Sequence, residues 1–146
     1  MIEGESVVHD VTYPHPPERV WRALVDQGEL RAWLMDNDFA PVVGRRFTMD
    51  CEPVGVLRGE VIDVDPPRRL SYRWFGAFGA FGATVVTFVL TPIPGGTRLR
   101  LEHRGWTDAN TEARDQFDGG WTSKLGEGLR RVLDEAAPTV PGGELQ

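Results

Sequence analysis

Five runs between residues 45 and 104 alternate apolar and polar side chains, and no other feature of the chain restricts its fold as strongly. Residues 45–51 put Phe47, Met49 and Cys51 on one side, and residues 57–64 do the same with Ile62 and Val64. Residues 69–75 set Leu70, Tyr72 and Trp74 against Arg69, Ser71 and Arg73, while residues 84–91 align Val86, Phe88 and Leu90. After a Pro94-Gly95-Gly96 turn, residues 97–104 align Leu99, Leu101 and His103 against Arg98, Arg100, Glu102 and Arg104. A period of two in successive runs predicts an antiparallel sheet with one covered face and one wet face. Residues 6–14 add a sixth strand, with Val7, His9, Val11 and Tyr13 together.

The flanking segments are helical. Pro14, Pro16 and Pro17 stop the first strand, and a proline in the first turn of a helix gives up no hydrogen bond. Val20, Trp21, Leu24 and Val25 then recur at helical spacing. Asp26 and Glu29 form an acidic capping box for a second short helix, with Leu30, Trp33 and Leu34 as its stripe. Over residues 110–135, Phe117, Trp121, Leu125, Leu129, Val132 and Leu133 form one long apolar stripe, the natural cover for the sheet. Gly119, Gly120, Gly126 and Gly128 interrupt it, each costing about 1 kcal/mol against alanine. So many glycines imply close approach to the sheet or a bend. The tail from Pro138, residues 138–146, reads as frayed and flexible, leaving 1–137 as one domain.

Composition narrows the function. A net charge of −6 lacks the footprint that phosphate backbones select, which excludes nucleic acid as a main partner. No apolar run reaches the ~18 residues of a membrane span. Glu3 and Glu5 replace the basic, then apolar, pattern of a secretion leader. One cysteine excludes an intramolecular disulfide and a Cys-clustered zinc site, and fits a reducing compartment. The expected location is the cytoplasm.

At this point the residues resemble a known family. Pro16-Pro17-Glu18-Arg19-Val20-Trp21-Arg22-Ala23-Leu24, Trp33, and Gly59-Glu60-Val61 through Val64-Asp65-Pro66-Pro67-Arg68-Arg69-Leu70 carry the likeness. Gly96-Thr97-Arg98-Leu99, Leu101-Glu102-His103 and Gly120-Trp121 complete it. The chain is similar to the START-like (SRPBCC) superfamily, in the branch homologous to the activator of Hsp90 ATPase. The resemblance implies an α+β helix-grip (START/Bet v-like) fold: a curved antiparallel sheet, two short helices and a long C-terminal helix over a cavity. It also implies a small, largely apolar ligand, aromatic or lipid-like. The alternatives are an enzyme of the polyketide cyclase/dehydratase type, with His103 and Tyr72 as acid and base, and a chaperone-associated stress-response module.

The inward set on such a fold is Phe47, Met49, Ile62, Tyr72, Trp74, Phe88, Leu101 and His103 from strands, with Phe117, Trp121 and Leu125 from the long helix. By spacing alone these residues fit a solid core; with the resemblance they become candidate ligand contacts. His103 is the polar member. It either orients a ligand, acts as a base, or is structural and bonded to a backbone carbonyl. Arg58 and Glu60 share parity with Ile62, so either a bulge near Gly59 turns them outward or they form a polar cavity wall.

The stretch Phe75-Gly76-Ala77-Phe78-Gly79-Ala80-Phe81-Gly82 matches neither the dinucleotide fingerprint nor a phosphate loop. Its readings are a lid, a protein-partner patch through Phe75, Phe78 and Phe81, or a hairpin folded onto the body. No metal or cofactor is expected. His9, His15 and His103 lack zinc spacing, and after Asp36-Asn37-Asp38 a calcium loop would need glycine and glutamate where Pro41 and Phe47 stand. No nucleophile elbow is present, and Cys51 alternates with core residues, as a buried thiol would.

Overall fold

A computed structural model of the chain describes residues 2–3, 6–51, 55–76, 83–107 and 111–136. Among them run β1 (Ile2–Glu3), β2 (Ser6–Tyr13), α1 (Pro17–Val25), α2 (Gln27–Trp33), β3 (Asp36–Asn37), β4 (Arg46–Cys51) and β5 (Gly55–Asp65). β6 (Arg69–Gly76), β7 (Thr84–Ile93) and β8 (Gly96–Arg104) follow, then a helical run of α3 (Thr111–Ser123), a π-helical segment (Lys124–Leu129) and α4 (Arg130–Ala136). The strands form one antiparallel sheet in the order β1-β2-β8-β7-β6-β5-β4-β3. The long C-terminal helix lies on its covered face, and this is the helix-grip arrangement.

Local chemistry explains the elements. Pro17 opens α1, and the Asp26 carboxylate accepts the Glu29 backbone N–H at 3.0 Å to cap α2. The predicted capping box is only half made. Glu29 turns instead to Arg19 (2.7 Å) and Arg22 (2.9 Å), tying α2 to α1. At the β7–β8 hairpin Gly95 takes a φ of +80°, a conformation that costs glycine little.

β5 departs from the predicted pattern. Leu57, Gly59 and Val61 face the core, so Arg58 and Glu60 face outward, and Glu60 lies 3.6 Å from Arg73. The pairing jumps from Val61↔Tyr72 to Asp63↔Ser71, which leaves Ile62 as the extra residue of a bulge. A one-residue slip exchanges the two faces of a strand. The parity of Val64, inward after the bulge, therefore does not extend back to Ile62, Glu60 and Arg58. Ile62 is half-buried and outside the core cluster.

The glycines of the long helix also need correcting. Added Cβ atoms at Gly119, Gly120 and Gly126 would meet nothing within 4 Å. Only Gly128 is pressed close, with its would-be Cβ 3.1 Å from the Trp33 carbonyl oxygen of α2 and not against the sheet. The helix widens to π form over Lys124–Leu129, where the Tyr13 hydroxyl donates to the Leu125 carbonyl oxygen at 2.8 Å. The expected tail, Phe78 and Phe81, and the side chain of Cys51 lie outside the described residues; Phe75 is half-buried.

Candidate functional site: an aromatic box beneath the long helix

Register brings the inward residues into three adjacent rows across the sheet. Phe47 pairs with Gly59, Gly59 with Trp74 and Trp74 with Thr84; Tyr72 pairs with Val86, which pairs with His103, and Phe88 pairs with Leu101. Phe47, Met49, Tyr72, Trp74, Phe88, Leu101, His103, Trp121 and Leu125 are all buried, and Phe117 is half-buried against them. So the structure gathers ten of the eleven predicted residues, and only Ile62 stands apart.

These side chains meet one another. Trp74 and Trp121 lie parallel, with ring centres 5.8 Å apart and 8° between planes, which carries the contact from β6 to α3. Phe117 comes within 6.0 Å of Trp74 and 5.4 Å of His103. Trp106, just beyond β8, closes the group at 4.7 Å from the His103 ring. A second group of Phe39, Phe47 and Tyr72 joins it through the Tyr72–Trp74 contact at 5.5 Å. Sequence pattern missed Phe39 and Trp106 because each lies outside a periodic run. It also missed Leu57 and Val61, through the bulge.

His103 is the buried polar centre of this box. The Trp121 indole N–H donates to its Nδ1 at 3.1 Å, and its Nε2 lies 2.8 Å from the Thr84 hydroxyl. An indole only donates, so Nδ1 must accept, and the proton sits on Nε2, directed at Thr84. Burial pushes the imidazole pKa down to about 3, so it is neutral near pH 7. Burial likewise raises the Tyr72 hydroxyl above its ordinary value. With both ring nitrogens of His103 engaged, neither is free to exchange a proton with a substrate, and a His103–Tyr72 acid–base pair gains no support.

The indole N–H groups give a contrast. Trp33 donates to the Ala23 carbonyl (2.8 Å), Trp106 to the His103 carbonyl (3.0 Å) and Trp121 to His103 Nδ1. The Trp74 N–H is buried and finds no acceptor among the described residues.

The helix over the box is unevenly attached. Its second half, from the π segment onward, buries Leu125, Gly128, Leu129, Val132 and Leu133. Its first half, α3, buries only Trp121, assisted by half-buried Ala113 and Phe117 and by His9 Nε2, 3.0 Å from the Asp118 carboxylate. On the outer side of the helix an open groove of about 380 Å³ is lined by Gly126, Glu127, Arg130, Arg131, Asp134 and Glu135, none of them a predicted contact. No group of His, Cys, Asp and Glu among the described residues could hold a metal ion.

The family described as activator of Hsp90 ATPase homolog 1-like protein has a sequence profile that matches residues 14–134. The chain belongs to this family. The match spans every member of the aromatic box. A Mesorhizobium loti protein, MLL2253, has a crystal structure that superposes with a TM-score of 0.84 at 41% identity, covering 91% of this chain and 99% of that one. DynU16, a protein of the dynemicin biosynthetic locus, matches with a TM-score of 0.80 at 25% identity, over 93% of this chain and 49% of that one. The Aha1 dimer of Colwellia psychrerythraea shares the fold with a TM-score of 0.79 at 21% identity, over 94% of this chain and all (100%) of the other. Among curated proteins, none matches the chain in sequence. No helix among the described residues is long and apolar enough to cross a membrane.

Proposed function

We propose that this family member is a cytoplasmic binding protein for a small, largely apolar ligand, aromatic or lipid-like, held between α3 and the β6–β8 face. The observation that carries this reading is the pairing of the aromatic box with the lightly attached half of the helix. Five rings gather there: Trp74, His103 and Trp106 beneath α3, and Phe117 and Trp121 on α3 itself, whose single buried side chain is Trp121. A ligand is admitted by lifting α3 about the π segment, while the second half of the helix stays fixed by its larger buried face. The stacked rings are then the surface it packs on. Likeness to a protein of the dynemicin biosynthetic locus is consistent with small-molecule binding. Binding is favoured over turnover because the histidine of the site has no free nitrogen.

Thermal shift against a panel of planar aromatics and fatty acyl compounds tests the proposal, with tryptophan fluorescence as a second reading. A true ligand at one hundred times its dissociation constant adds about 2.7 kcal/mol of stability. It should also change emission, since three of the five rings are indoles. A panel that moves neither quantity overturns the reading.

A further inference from the structure

We infer that the buried indole N–H of Trp74 is the polar anchor of the ligand, and that the site selects planar aromatic molecules carrying a neutral hydrogen-bond acceptor, such as a ketone. This rests on the ligand-binding reading above and adds what the ligand must present.

Three other buried indoles of the chain, Trp33, Trp106 and Trp121, each have an acceptor within 3.1 Å. Trp74 is fully buried yet has none among the described residues, and it sits at the centre of the box. A buried donor without a partner is costly, and native structures keep few of them. Arg19 Nε is also unpaired, but its guanidinium already bonds Glu29 and the Val132 carbonyl among the helices. The rings around Trp74 belong to Tyr72, His103, Phe117 and Trp121. Phe117 and Trp121 ride on α3, so the movement that admits a ligand also uncovers this donor. An indole gives one proton and accepts none, which restricts its partner to an acceptor. The acceptor is neutral because no charge awaits it. His103 is uncharged, and Arg58 points to the other face. An unpaired carboxylate buried there would be expensive.

Fluorenone and fluorene test this, since they share a planar frame and differ in one carbonyl; fluorene-9-carboxylate serves as the charged control. Wild-type protein should bind fluorenone about tenfold more tightly than fluorene, the effect of one hydrogen bond. It should bind the carboxylate more weakly than fluorenone. In spectra of nitrogen-15-labelled protein, the Trp74 indole signal, identified by its loss in Trp74→Phe, should move downfield with fluorenone and not with fluorene. Trp74→Phe should bind both at the fluorene level. The wild-type comparison needs no variant to fold. Equal affinities without an indole shift overturn the anchor and leave the binding reading standing. So does a preference for the ketone that survives in Trp74→Phe. If neither compound binds the wild type, the anchor falls, while the binding reading is decided separately by the wider panel of aromatics and fatty acyl compounds.

Discussion

Trp121 donates its indole N–H to Nδ1 of His103 at 3.1 Å, and that bond fixes the imidazole proton on Nε2, toward Thr84. A protonated ring could not accept from Trp121, so folding and charging of His103 oppose each other. Its pKa is about 3 when folded against an ordinary value of 6.5, so between these values the unfolded chain binds more protons. The contribution to stability is therefore complete above pH 6.5 and is lost as the pH falls toward 3. The slope approaches about 1.4 kcal/mol per pH unit. Urea unfolding at pH 7, 6, 5 and 4 should show this slope in the wild type and a smaller one in His103→Gln, which carries no charge. Parallel profiles for the two proteins would remove His103 as the cause.

Trp121 itself holds α3 to the sheet. Its ring stacks on Trp74, meets Phe88 edge-on at 5.9 Å and bonds His103. Truncating a buried Trp costs about 3–5 kcal/mol. Trp121→Ala should lower the unfolding midpoint accordingly, with the His103 acceptor left unpaired as part of the cost. A midpoint equal to wild type would mean that α3 contributes nothing to the closed state.

Gly59 has a different constraint. A Cβ there would lie 2.8 Å from the Arg73 carbonyl oxygen and would overlap the Phe47 ring, which crosses the strand at this residue. Gly59→Ala should destabilise the protein by about 1–3 kcal/mol, the usual cost of overpacking. Denaturant unfolding measures it. A neutral result would place the Phe47 ring elsewhere.

The fold was legible where one physical pattern ran without interruption. Alternation in β6, β7 and β8 identified Tyr72, Trp74, Phe88, Leu101 and His103 as inward, and all five are buried. In β5 the outward alternative for Arg58 and Glu60 holds, but the bulge lies at Ile62 and not near Gly59, and Ile62 was misread as inward because it is as apolar as the residues it displaces. The short strands β1 and β3, of two residues each, carry too little sequence to show a period. Phe39 reached the core through a loop fastened by side-chain bonds, including the Asn37 carbonyl to the Phe39 N–H at 3.0 Å. In the site, parity showed that His103 faces inward but could not show its partners. Thr84 and Trp121 come from other elements, and only tertiary structure joins them to it.

The glycines of the long helix separate two causes that spacing alone confounds. At Gly119 and Gly120, both exposed on α3, a methyl group would meet nothing within 4 Å, so only backbone entropy distinguishes glycine from alanine. Gly119→Ala and Gly120→Ala should each stabilise the protein by about 0.5–1 kcal/mol. Gly128 has the same entropic incentive but a backbone in the way. Its methyl would stand 3.1 Å from the Trp33 carbonyl oxygen and 3.5 Å from Trp33 Cβ, and a main-chain atom at the end of α2 yields less readily than a side-chain tip. Gly128→Ala should therefore lower the midpoint despite its better helix propensity. Stabilising α3 should also raise the energy needed to lift it, so Gly119→Ala/Gly120→Ala should bind a panel ligand more slowly than the wild type. Stopped-flow tryptophan fluorescence measures that rate. An unchanged association rate in a measurably more stable double variant would show that α3 does not gate the aromatic box.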